Sequence, residues 1–489
     1  MLFNSHIFML LFLPLLLAGW YFLNWKKKFQ LAQGYLIGMS LWFYAYANLQ
    51  YLWLLLFSCL IGWLLSCLPE KIFSKKGKKV LTGVGCVFHL GLLGYFKYSN
   101  FFLENLNTVF HTDFPMLQIL LPVGISFYTF QQLAYLIDRC RGDAPRDSFF
   151  DYLTFMVYFP QLLQGPILLR SEFMGQLKEP ERRRFHAERF SEGIQFFVFG
   201  LAKKVLLADT LAKAVNYGYS NVSMLDSISA LLLAVGYLTE LYFDFSGYCD
   251  MAVGLGKMIG LEVAENFDAP FHSASVKEFW RRWHMTLGRF FTRYVYIPLG
   301  GNRRGKMRTL CNVMIVMLLS GLWHGAAWTF VLWGFLHGVG MIWDNLEHPH
   351  LPKKWMRQAA TFAYVCMTFV FFRAESIAQG VDVLKSIVSL KWNGFVFQMA
   401  SALDMTECYM ITKALSMKLP GLLSWFWLGI FVVLIAICFR VLSGEKVSGV
   451  VALQRQKGYG RLYPVLLAVL FTWSMISMTG VSEYLYFSF

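Results

Sequence analysis

The chain has 489 residues, of which 57% are hydrophobic, 18% aromatic and only 15% charged, and its formal net charge is +15. That balance, with a positive mean hydropathy, excludes a soluble globular domain and leaves an all-α polytopic membrane protein. The surplus of Lys and Arg is a topology signal and a contact with anionic headgroups, not a nucleic-acid footprint, and no DNA- or RNA-binding module is discernible.

A spanning helix needs roughly 20 predominantly apolar residues, and such segments recur along the chain. In order they are Ile7–Trp25, Leu31–Ala47, Leu49–Leu68, Val80–Tyr98, Leu117–Ile137, Phe190–Leu207, Ile228–Met251, Leu310–Trp323, Thr329–Trp343, Ala360–Phe372, Trp425–Val441 and Leu462–Met478. Several are short or interrupted by Gly and Pro, which predicts about eleven spans plus one or two re-entrant pieces. The first run has no basic stretch before it and is followed by Lys26, Lys27 and Lys28, the pattern of an uncleaved span and not of a signal peptide. Basic clusters at 26–28 and 71–79 are two spans apart, so they share one face; the excess of positive charge assigns that face to the cytoplasm and the N-terminus to the outside.

Polar residues at membrane depth are costly unless they face a cavity, a partner or the interface. In LPVGISFYTFQQLAYLIDR, Leu121 to Arg139, Pro122 and Gly124 break an apolar run, which fits either backbone lining a cavity or a kinked packing helix. FPQLLQGPILLRSEF, Phe159 to Phe173, is too short to cross and reads as a re-entrant or interfacial hairpin with Arg170 at the headgroups. In TELYFDFSGYCD, Thr239 to Asp250, Glu240 and Asp244 share a helix face. These carboxylates either pair with basic residues from another segment or line a polar tunnel. The stretch Glu265 to Arg308 carries, from Lys277 onward, nine Lys/Arg against the single acid Glu278, interleaved with aromatics. It suits an interfacial amphipathic helix or a cytoplasmic mouth that gathers a phosphate-bearing ligand. Plain lipid anchoring does not explain His284.

The next apolar stretch, SGLWHGAAWTFVLWGFLHG, places His324 roughly 20 Å along a helix from the basic loop, and His337 about as far again if the helix continues. Gly321 and Gly325 are expected to leave room beside the His324 imidazole, with Trp323 and Trp328 walling it off. His337 reads as a buried structural residue. The nine cysteines show no CxxC and no metal spacing, which predicts neither a disulfide framework nor structural zinc. There is no Walker loop, HExxH, GxSxG or fixed-period repeat. One membrane domain over residues 1–489 follows, with peripheral spans in 1–110, a motif-bearing core in 116–375 and further spans in 420–489.

The strings RRWH, YIPLGGNR and GLWHGAAWTFVLWGFLHG, with LPVGISFYTFQ, FPQLLQGPI, GLAKKVLLAD and YFDFSGYCDMAVGLG, resemble the membrane-bound O-acyltransferase (MBOAT) family, in its bacterial branch of alginate O-acetyltransferase membrane subunits. The likeness runs over nearly the whole chain. It implies a ring of tilted helices around a central tunnel, a donor entrance on the cytoplasmic side and an acceptor site on the other. It implies that His324, the WHG histidine, is catalytic and that His284, the RRWH histidine, is the second functional imidazole. It also implies an extracytoplasmic SGNH-like partner that completes transfer to a sugar, and residence in the bacterial cytoplasmic membrane.

The chemistry of the residues agrees with those roles. Thioester-to-hydroxyl acyl transfer needs a base near neutral pH, which suits imidazole, and His324 is assigned that role. Oxyanion donors are sought in His284, Trp N–H groups or the backbone around Gly325. Acetyl-CoA is the expected donor substrate, with no tightly bound cofactor, and Arg281, Arg282 or Arg289 would contact it. In the VSEYLYFSF ending, Tyr486 is either an acyl relay or an aromatic interface anchor. The favoured reading is O-acetylation of an extracytoplasmic polysaccharide. Alternatives are D-alanyl or acetyl transfer to teichoic acid or peptidoglycan, or a transporter or flippase, against which the lack of an inverted repeat speaks.

Overall fold

The computed structural model describes residues 1–489 except 48, 68–74, 347–351, 443–445, 459, 461, 479–483 and 486–489. Among the described residues there is no strand, and the helices fall into two compact units. Unit one comprises residues 1–197, 248–265 and 289–298; unit two comprises 198–247, 266–288 and 299–489.

Unit one holds α1 (Leu13–Trp25), α2 (Phe29–Ala47), α3 (Leu52–Cys67), α4 (Lys75–Leu93), α5 (Ile125–Arg141), α6 (Phe149–Val157) and most of α7 (Ala187–Ala202). Its core is aromatic: Phe3, Phe8, Phe12, Phe43 and Phe159 are fully buried, and Phe43 and Phe12 each lie 5.4 Å from Phe159 between ring centroids. The sequence predicts a span from Leu117, but α5 starts only at Ile125. Gly124 takes φ of 78°, and a Cβ there would lie 2.5 Å from the Leu162 carbonyl oxygen. The glycine is therefore needed twice, for its left-handed backbone and for a close approach. Arg170, expected at the headgroups, instead pairs with Asp147, its Nε donating to Oδ2 at 2.7 Å; the Asp147 side chain is 2% exposed. A carboxylate in that position needs a cation, and Tyr135 adds a hydroxyl donor.

The long helix α8 (Ser227–Met258) supplies its first part to unit two and its last part to unit one. Of its apolar window 78% is buried inside the protein, against 17% for the span Lys76–Phe110, whose apolar side chains face outward as lipid contact requires. Unit two continues with α9 (Val276–Arg282), α10 (Lys306–His324), α11 (Trp328–Asn345), α12 (Lys354–Arg373), α13 (Pro420–Leu442) and α14 (Leu462–Ser477).

Among the described residues, six helical stretches are long and apolar enough to span: Phe8–Trp25, Leu49–Cys67, Lys76–Phe110, α8, α10 and Pro420–Phe439. Some other predicted spans fall short by length, as Leu462–Ser477 does; α5, of 17 residues, also buries the polar side chains of Gln131 and Gln132 against the protein. Helices packed on protein can carry such residues; helices facing lipid cannot.

Candidate active site

The WHG stretch is not one helix. α10 ends at His324, and the chain turns through Gly325–Ala327 into α11, which packs antiparallel on α10. Register follows from close approach: a Cβ at Gly321 would sit 2.3 Å from the Phe330 carbonyl oxygen, and one at Gly334 would sit 2.5 Å from that of Met317. The expected free room beside the imidazole is thus absent, because α11 fills it. A Cβ at Gly325 would run into the Phe330 ring.

His324 is 3% exposed and walled by Trp323, Trp333 and Phe372, with ring centroids 5.0, 5.2 and 5.2 Å away. Trp328, expected in that wall, is 56% exposed; the turn points it outward, and Trp333, one and a half helical turns on, takes its place. The Trp333 indole nitrogen is buried and has no hydrogen-bond partner among the described residues. A buried N–H left in that state costs roughly 1–3 kcal/mol.

His284 lies between α9 and the short helix Met285–Phe291. Ser275 caps α9 by accepting from the Glu278 N–H at 3.1 Å, and the helix stops at Trp283. His284 then adopts φ of 47°, a left-handed conformation that costs a non-glycine residue on the order of 1 kcal/mol or more and clusters at functional sites. The strain is held by Asn266. Its backbone carbonyl accepts from the Met285 N–H at 2.9 Å, and its side-chain oxygen accepts from the Thr286 N–H at 3.1 Å and Thr286 Oγ1 at 3.0 Å.

That same oxygen lies 3.2 Å from His284 Nδ1. An oxygen already accepting two donors requires Nδ1–H from the imidazole, which leaves Nε2 as the acceptor face. His284 is 1% exposed, and burial pushes it down to about 3, so the ring is neutral at physiological pH. With Nε2 deprotonated, His284 is an acceptor and does not supply the oxyanion donor that the sequence reading sought there. Asn266 was in the stretch singled out from sequence, yet nothing about an isolated Asn in ENFDAP announces an imidazole partner.

The two imidazoles come together: their centroids are 6.4 Å apart, with Trp323 against both. Phe245 of α8 closes the other side of His284 at 4.8 Å. His337, by contrast, is fully committed. Trp280 Nε1 donates to its Nδ1 at 3.2 Å, so its Nε2 carries the proton and faces Thr368 Oγ1 at 2.9 Å, whose own hydroxyl donates to the Val365 carbonyl. Both nitrogens are used, as a structural histidine requires.

Of the basic residues expected to meet the donor, Arg282 pairs with Glu278 at 3.0 Å. Arg289, in unit one, pairs with Glu172 and donates to the Ile167 carbonyl at 3.0 Å. Arg281 is exposed and makes no ion pair among the described residues. Asp244 is buried against Lys204 at 2.5 Å, which favours pairing over a tunnel-lining role for this carboxylate. Tyr486, like Lys71 of the second basic cluster, lies outside the described residues. No group of three His, Cys, Asp or Glu side chains among the described residues is arranged to hold a metal.

Comparison with known proteins shows the family. Residues 141–375, which contain both imidazoles, match the MBOAT, membrane-bound O-acyltransferase family. The chain is 35% identical over 423 residues to the peptidoglycan O-acetyltransferase of Helicobacter pylori, covering 80% of each protein. It is 39% identical over 393 residues to the Pseudomonas putida protein named "Probable alginate O-acetylase AlgI", covering 77% of this chain and 78% of that one. A teichoic acid D-alanyltransferase of Streptococcus thermophilus is 28% identical over 49% of this chain and 58% of its own length. With an α-helical polytopic fold and these relatives, the chain belongs to the membrane-bound O-acyltransferase family and is an acyltransferase.

Proposed function

We propose that this protein moves acetyl from acetyl-CoA on the cytoplasmic side of the bacterial cytoplasmic membrane for O-acetylation of an extracytoplasmic polysaccharide. The single observation that carries the reading is the pair of buried imidazoles, 6.4 Å apart behind an aromatic wall, in a chain with relatives over most of its length that are named for O-acetyl chemistry. Acetyl is preferred to D-alanyl because the acetylating relatives match at 35% and 39% and the D-alanylating one at 28% over half the chain.

In the proposed reaction His324 takes the proton of the acceptor hydroxyl as its oxygen attacks the thioester carbonyl. Trp333 Nε1–H faces the developing oxyanion. As the carbonyl re-forms, the C–S bond breaks, and the proton held by His324 goes to the departing thiolate. His284, neutral and with Nε2 as acceptor, accepts from a second N–H or O–H of the bound substrates and so orients them, because the one proton of the attacking hydroxyl goes to His324. The aromatic wall keeps water from the thioester, which would otherwise be hydrolysed. Exposed Arg281 is the residue best placed chemically to meet the phosphates of CoA. The first acceptor is a hydroxyl of the sugar, of an SGNH-like extracytoplasmic partner, or of Tyr486 acting as a relay; Tyr486→Phe with normal protein level and full glycan acetylation would remove the relay.

The test is to supply acetyl-labelled acetyl-CoA to inside-out vesicles containing the protein and its partner. Wild type should consume the label and His324→Ala should not. Label left unconsumed by wild type would defeat the proposal.

A further inference from the structure

The near-terminal residues Tyr484 and Leu485 are not at the surface of unit two but against its buried ion cluster. Lys204 lies 2.5 Å from Asp244 and 2.8 Å from Asp209, and the Lys204 and Asp244 side chains are each 2% exposed. One ammonium against these two carboxylates leaves a formal charge of −1 (1 − 2), and Glu240, one turn along α8 from Asp244, is buried as well. Lys204 engages Oδ1 of Asp244. The other oxygen, Oδ2, then needs a donor of its own, because a buried carboxylate oxygen without one is costly.

That donor is main chain from the far end of the sequence: the Leu485 N–H donates to Oδ2 at 3.1 Å. The neighbouring Tyr484 ring, fully buried, lies 4.7 Å from the Lys204 ammonium. Each charge of the pair is thus completed by the same two-residue segment. The receptor is also next to the imidazole site, since Phe245, which follows Asp244, packs on His284 at 4.8 Å.

We infer that Lys204 and Asp244 are positioning residues that dock the chain's own Tyr484–Leu485 segment beside the helix backing His284, and that this docking supports acyl transfer at the imidazole site. This role in transfer rests on the acetyltransferase reading; the docking itself does not. Tyr484 is accordingly not a lipid-interface anchor, and the charge-assisted bond and the cation–π contact bind the segment by main chain and ring, not by an apolar groove.

Hydrogen exchange of the full-length protein in nanodiscs, resolved to the amides of Tyr484 and Leu485, tests the docking. Leu485→Pro removes the donated N–H and Tyr484→Leu removes the ring, and both leave the Lys204, Asp244 and Asp209 cluster and the helices intact. Each should speed exchange of whichever of the Tyr484 and Leu485 amides it retains at least about tenfold and lower polysaccharide O-acetylation at least about tenfold at equal protein level, through kcat and not through KM for acetyl-CoA. Tyr484→Phe, which keeps the ring over the ammonium, should restore protection and turnover, and Asp244→Asn should release the segment while Lys204 retains Asp209. Unchanged exchange in both Leu485→Pro and Tyr484→Leu would overturn the docking. Faster exchange with undiminished acetylation would overturn the positioning role. Exchange is read without turnover, so a protected segment in a protein that consumes no acetyl-CoA supports the docking and counts only against the acetyltransferase reading.

Discussion

Asn266 is the residue on which the geometry of His284 turns, and Asn266→Ala is the perturbation that isolates it. Its side-chain oxygen accepts from His284 Nδ1–H, the Thr286 N–H and Thr286 Oγ1 in a site where His284, Asn266 and Thr286 are 1–3% exposed. Deleting the acceptor removes three hydrogen bonds at about 1 kcal/mol each, or roughly 3 kcal/mol. Part of that loss appears as stability and part as freedom of the imidazole, which can then turn over and present Nε2–H in place of its lone pair. A substrate no longer oriented by the Nε2 lone pair should cost about 100-fold in the rate of acetyl transfer. Thr286→Val is the control, since it removes only one of the three donors and leaves His284 on Asn266; it should cost less than about fivefold, the equivalent of one hydrogen bond. The assay is the initial rate of label consumption from acetyl-CoA in vesicles, normalised to folded protein by size-exclusion chromatography. Equal losses in the two variants, or full activity in Asn266→Ala, would refute the orienting role.

Other expectations follow from the same geometry. Trp333→Phe keeps the aromatic wall but removes the buried N–H, so kcat should fall about 100-fold or more while thermal stability changes little; a loss confined to stability would remove Trp333 as an oxyanion donor. His337→Phe strands the Trp280 and Thr368 partners and should lower stability by roughly 1–3 kcal/mol, while turnover per folded molecule, measured in the same vesicles, stays within a few-fold of wild type. Arg170→Met leaves Asp147 buried and uncompensated, a change expected to cost about 3–5 kcal/mol, seen as loss of monodisperse protein on extraction.

For His284, burial holds the folded value near 3, below the ordinary histidine value. Between about 6.5 and 3, therefore, the unfolded chain binds a proton that the folded chain does not, so this contribution destabilises the fold as pH drops, by on the order of 1–2 kcal/mol at pH 5. His284→Gln should flatten that slope in thermal melts at pH 5 and pH 7, and an unchanged slope would show that the ring titrates in the folded protein.

The membrane character and the α-helical class were legible in the sequence because apolar runs mark them locally, whereas the pairing of His284 with His324 was suggested only by the family resemblance of their motifs. What escaped was set by contacts between distant residues. Trp328 was chosen for the wall because it is near His324 in sequence, but the turn at Gly325–Ala327 sends Trp333 and Phe372 there instead. Gly321 and Gly325 announced small volume without saying whether a cavity or a neighbouring backbone would use it. Asn266 and Lys204 are ordinary residues until the fold sets them against His284 and Asp244. Arg170 shows the reverse error: a cation near an expected interface looked like a headgroup contact, and it proved to neutralise Asp147.

The glycine contacts between α10 and α11 bear on how such an enzyme can change. With main chain lying directly on main chain at Gly321 and Gly334, neither helix can shift by a fraction of a turn without a collision, so the reach of His324 is set by the backbone itself. Mutations that would reposition His324 by moving this hairpin are therefore closed to the protein. Change at this site has to be written in the side chains that face His324.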